Sequence, residues 1–120
     1  FVYLNKKQKS SSEVDKYHQR KLSIDLSYIV DEISSLTRTM INTSSLDIFN
    51  KSIVKHEEIM SEVLAYPTVR QRYFSDYKGA IKSLGAWGGD FILASGGIED
   101  RAYFEKKGFS VIQEFESLIL

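Results

Sequence analysis

A chain of 120 residues suits one domain with a modest core. Its 16 basic and 16 acidic side chains cancel to a formal charge of zero, which speaks against nucleic acid or a membrane surface as a partner. It has no cysteine, which excludes disulfides, thiolate metal sites and thiol catalysis; no apolar run reaches bilayer length and no signal-peptide pattern opens the chain, so a cytoplasmic protein is expected.

Phe1-Val2-Tyr3-Leu4 is apolar and β-favouring and reads as a first strand, one already under way at Phe1, so a fragment of a longer protein is expected. Ser10-Ser11-Ser12-Glu13 then offers N-cap side chains and an acid for a first helical turn. Lys6, Lys7 and Lys9 could meet a phosphate, but a solvated loop explains them as well. From Leu22 the apolar positions Leu22, Leu26, Ile29, Ile33, Leu36 and Met40 alternate four and three apart, drawing one stripe along a long helix that Val14 and Tyr17 begin or precede. Asn42-Thr43-Ser44-Ser45 interrupts it, and Ser44 with Asp47 offers a capping box for the next helix. That helix carries a second stripe, Leu46, Phe49, Ile53, His56, Met60 and Val63, and should end near Tyr66-Pro67, so the two helices are expected to pair antiparallel.

His56 falls within the second stripe. A hydrogen-bonded interior imidazole is the plain reading, because Glu57 and Glu58 follow it directly in sequence and are expected to point elsewhere; His18 has still less to commend it. Thr68 to Phe74 reads as a short helix, and Arg70, Arg72 and Lys78 make the most basic local patch. Gly79 to Leu84 and Phe91 to Ala94 read as two strands of a hairpin. Between them, Gly85-Ala86-Trp87-Gly88-Gly89-Asp90 holds three of the seven glycines, residues that permit positive φ and close backbone approach. Amides in such a turn form a concave nest for an anion, although tight turn geometry alone also explains them, and Trp87 brings an apolar surface that needs cover. No Gly-Lys-Ser/Thr follows, and the loop feeds a strand instead of a helix, which rules out a Walker loop and a dinucleotide fingerprint. Ser95-Gly96-Gly97 is a turn, Ile98 to Lys107 a short helix stopped by Gly108, and Phe109 to Gln113 the last strand. Phe115, Leu118, Ile119 and Leu120 form an apolar tail expected to dock. The sum is an α+β domain, a ferredoxin-like split βαβ arrangement (βαββαβ) with an antiparallel sheet and a helical hairpin enlarging the first crossover.

Gly79-Ala80-Ile81-Lys82-Ser83-Leu84-Gly85-Ala86-Trp87-Gly88-Gly89 resembles the third motif of the GHMP small-molecule kinases, Lys-x-Ser/Thr-Gly-Ala-Gly-Gly-Gly-Gly. Lys82, Gly85, Ala86, Gly88 and Gly89 match by position; Leu84 stands for the Ser/Thr, Trp87 for a glycine, and Asp90 where another glycine would be. The loop and the order of elements are similar to a mevalonate-kinase-like subgroup with a Gly-Ala-Trp-Gly-Gly-Asp-Phe variant. The resemblance implies that residues 1–120 are the C-terminal domain of an ATP-dependent kinase acting on a small alcohol or phosphate, mevalonate-like or a sugar. It implies a substrate- or phosphate-proximal loop at Lys82, Gly85, Ala86, Trp87, Gly88, Gly89 and Asp90, and a place for His56 beside the substrate cleft. ATP and Mg2+ are then bound by the intact parent, whose N-terminal nucleotide-binding domain is the missing partner and holds the catalytic and metal-binding residues. The isolated chain is expected to bind no cofactor and to be inactive. The alternative is a non-enzymatic βαββαβ module for a small ligand or a protein, a homodimer included. An RNA-recognition module lacks support, because the strands have no basic, stacking-aromatic signature.

Overall fold

The computed structural model describes residues 1–6, 26–85, 87 and 89–118. Among these, the chain forms β1 (Val2–Tyr3), α1 (Leu26–Asn42), α2 (Leu46–Leu64), α3 (Val69–Tyr73), β2 (Ile81–Ser83), β3 (Phe91–Ala94), a 3-10 turn (Ile98–Asp100), α4 (Arg101–Lys106) and α5 (Phe115–Leu118). The expected helix start at Ser10 to Glu13, with Lys7, Lys9, Val14, Tyr17, His18 and Leu22, lies outside the described residues, as do Ile119 and Leu120.

The helical hairpin follows the apolar periodicity. Leu26, Ile29, Ile33, Leu36 and Met40 are each half-buried, while Tyr28, Val30 and Ile41 face away at 57–75% exposure. That stripe packs α1 along α2. The N-cap of α2 is Ser45, not Ser44: its side chain accepts from the Ile48 amide. The helix stops at Leu64 because Ala65 turns left-handed at φ 50, with its amide bonded back to the Glu62 and Ser61 carbonyls, so it ends before Tyr66-Pro67 is reached. For α3, Thr68 and Gln71 form a reciprocal capping box.

The sheet order is β1-β3-β2, antiparallel throughout, with Val2 opposite Ile92 and Ser83 also opposite Ile92. Val2, Ile92 and Ser83 therefore form one buried row across it. The last predicted strand is reduced to a single bridge, Val2 to Ile112, flanked by Tyr3 N donating to Val111 O (2.9 Å) and Gln113 N to Phe1 O (2.8 Å). It extends no further because β1 itself is short, ending where Asn5 takes φ 58, and because Phe109 is drawn into the aromatic core. The Ile98 to Lys107 helix is split into the 3-10 turn and α4, and Gly108 at φ 94 stops it. Phe115 is 62% exposed instead of docked, its ring 6.4 Å from Phe1.

Val2, Leu4, Val69, Phe74, Tyr77, Ile81, Ile92 and Phe104 form the core on one face of the sheet. Phe74 is fully buried, with its ring 5.1 Å from Phe104 and 5.2 Å from Phe109, both edge-on. Arg70 ties the approach to β2: Nη1 donates to Gly79 O (2.6 Å) and Nη2 to Tyr77 O (2.5 Å). The Tyr77 hydroxyl donates to Ser95 O at 2.7 Å, and burial pushes its pKa up to about 12. No helix among the described residues is long and apolar enough to cross a membrane.

Candidate functional site

The loop between β2 and β3 continues the sheet for one bond, Leu84 N donating to Phe91 O at 3.1 Å, and then turns away through Gly85 at φ 68. It re-enters β3 through Asp90, also left-handed at φ 60. This is the position at which the kinase motif has a glycine. Asp is among the few residues with a side chain that adopt this geometry, so Asp90 can hold such a turn. The loop is fastened to β1 from both sides of Asp90, whose amide donates to Lys6 O (2.6 Å) and whose carbonyl accepts from Leu4 N (2.8 Å). The Leu84 and Asp90 amides are thus engaged within the chain. Ala86 and Gly88 lie outside the described residues. Trp87 is 6% exposed, so its surface is covered within this chain without a further domain. A hollow of about 410 Å³ opens at the base of the loop between Tyr3, Leu84, Gly85, Asp90 and Phe91.

Beneath the loop the fold assembles a polar group that the sequence does not announce. The buried side of α2 runs through Ser52, Ile53, Glu57, Val63 and Leu64, so a carboxylate lies in the middle of an apolar band. Glu57 does not point elsewhere, as its place next to His56 suggests; it faces β2. Its Oε2 accepts from Ser83 Oγ at 3.1 Å. Its Oε1 lies 3.8 Å from Lys82 Nζ and 3.9 Å from His56 Nδ1. Lys82 occupies the pleat adjacent to Ser83, and β2 is the edge strand, so the long lysine side chain returns around that edge; Nζ also lies 3.4 Å from Ser83 O.

Burial pushes the Glu57 carboxyl above its ordinary value, opposed by the nearby Lys82 charge and by the hydrogen bonding from Ser83. His56 is driven down to about 4, chiefly by burial and then by the Lys82 charge, so near pH 7 it is neutral and its approach to Glu57 is not an ion pair. Glu57 Oε1 and His56 Nδ1 are both buried without a hydrogen-bond partner among the described residues. The structure therefore joins two of the sequence candidates, Lys82 and His56, through two residues that hydrophobic patterning passes over, Glu57 and Ser83. Among the described residues no three His, Asp or Glu side chains are grouped to hold a metal ion.

Compared with protein-family models, with curated proteins and with solved structures, the chain matches none.

Proposed function

We propose that this chain is the C-terminal domain of a GHMP-type kinase, which transfers the γ-phosphoryl of ATP to a small alcohol or phosphate, mevalonate-like or a sugar, and that it works with an N-terminal nucleotide-binding domain. The observation that carries the reading is the glycine loop itself. It joins two antiparallel strands, has Lys82 at its foot, and keeps a left-handed residue at Asp90 where the motif calls for glycine. The three-stranded antiparallel order β1-β3-β2, with an isolated bridge from Val2 to Ile112, supports the reading in being compatible with a ferredoxin-like split βαβ sheet. Phosphoryl transfer needs positioned charge and a phosphate cradle. In this reading Lys82 and the loop backbone brace the transferred group, while the nucleotide, Mg2+ and the catalytic residues are held by the other domain.

The test is an ADP-release assay on the gene product that contains these residues, run against a panel of small alcohols and phosphomonoesters. Acceptor-dependent ADP release is expected, with none from the 120-residue chain alone. An inactive gene product that fails to bind ATP, or micromolar ATP binding by the isolated chain, overturns the proposal. The other reading, a non-enzymatic binding module, has in its favour the outward apolar side chains of α1, Tyr28, Val30 and Ile41.

A further inference from the structure

We infer that Glu57 is a positioning residue for Lys82, holding its ammonium at the foot of the glycine loop and making α2 part of the loop's support. A carboxylate with 4% of its side chain exposed is costly to keep in an apolar band unless it is paired and hydrogen-bonded. Here it is fixed from two directions. Ser83, the polar member of the buried row Val2-Ile92-Ser83, fastens Oε2. Oε1 is left to face Lys82 Nζ at 3.8 Å, close enough for strong attraction and too long for a hydrogen bond. Lys82 keeps a quarter of its side chain exposed, so the ammonium is held in place without being sealed away. His56, neutral near pH 7 with Nδ1 3.9 Å from Oε1, adds no second positive charge to compete with Lys82 for the carboxylate.

A lysine on a surface strand would otherwise sweep a wide cone and lose rotamer entropy on meeting a ligand; one already held beside the loop has lost it on folding. The value of that preorganisation for phosphate rests on the kinase reading. The Glu57–Lys82 relation itself does not.

Site-resolved amine acetylation of the 120-residue chain, read by peptide mass spectrometry, tests it with Lys55 and Lys106, both exposed, as internal references. Lys82 is expected to react about tenfold more slowly than Lys55, the population factor for leaving a partly buried ion pair. Glu57→Gln, which removes the charge and keeps the shape, should bring Lys82 to within about twofold of Lys55, with both references unchanged. Should that variant not fold, Glu57→Asp, which withdraws the carboxylate by one methylene, is read by the same criterion. A wild-type Lys82 that reacts as fast as Lys55, or a folded variant in which its rate does not move, overturns the inference. In the complete gene product the same substitution should raise the KM for ATP about tenfold while changing kcat less. A gene product without turnover defeats the kinase reading and leaves the acetylation result standing, whereas a KM effect with unmoved acetylation defeats the positioning role alone.

Discussion

Ser83 Oγ donates to Glu57 Oε2 across 3.1 Å, joining the last residue of β2 to the middle of α2. The bond shelters a carboxyl whose pKa is raised by burial, and the sign of the consequence is fixed. A raised folded-state value means that the stability tied to the protonated group is complete below its ordinary value of 4.5 and is lost as pH rises through the folded value. Glu57→Gln removes that loss. Its urea stability relative to wild type is therefore expected to climb with pH above 4.5 and to be level below it; a difference independent of pH would show that the carboxyl is not strained by burial.

His56 works in the opposite direction. Its folded value of about 4 lies below the ordinary 6.5, so its contribution is complete above pH 6.5 and disappears as pH falls from there towards 4. His56→Gln is expected to narrow its stability gap to wild type across that interval, measured by urea unfolding at pH 7 and pH 4.5. Parallel curves would place the imidazole in solvent.

Trp87 stands where the kinase motif that the loop resembles has a glycine, and a glycine placed there tests what the indole is for. Because the side chain is buried within this chain, Trp87→Gly is expected to cost about 3–5 kcal/mol in unfolding free energy, the range for emptying a large aromatic site. An unchanged melting temperature would instead make Trp87 an ornament of the loop.

Gly79 has no room for a methyl group. A Cβ there would lie 2.1 Å from Ser95 O and 2.9 Å from the Tyr77 ring, at the point where Ala80 N meets Ser95 Oγ. Gly79→Ala must part β2 from β3, at about 3 kcal/mol. The expected readout is a lower urea midpoint together with faster amide exchange at Leu84 and Ser95, whose amides donate between the two strands; a variant as stable as wild type would mean that the strands meet elsewhere.

Helix faces were legible because burial follows apolar spacing: the residues of α1 that turn towards α2 are those its periodicity picks out. Turn residues were legible for a local reason too, since Gly85 and Gly108 do take positive φ. Glu57 was hidden for the converse reason. A carboxylate counts as polar in any hydrophobic pattern, and its partner Ser83 lies 26 residues away, so only the packing of β2 on α2 reveals that it is inside. The Ser44 and Ser45 caps differ by one residue in a run of hydroxyls, which spacing alone does not order. The last strand misled because Phe109 to Gln113 has strand composition, whereas the length of a ladder is set by its partner, and β1 offers two residues.

α1 contributes no fully buried residue, although it is 17 residues long. Detaching it would leave the Phe74 and Ile92 core intact, so α1 forms a cooperative unit that can open below the energy of global unfolding. Native-state exchange would then register two protection levels, a low one along Leu26–Asn42 and a high one in β2 and β3. Because Glu57 stands on the inner helix of that pair, the support of the loop survives such an opening, and breathing of the outer helix leaves the placement of Lys82 untouched.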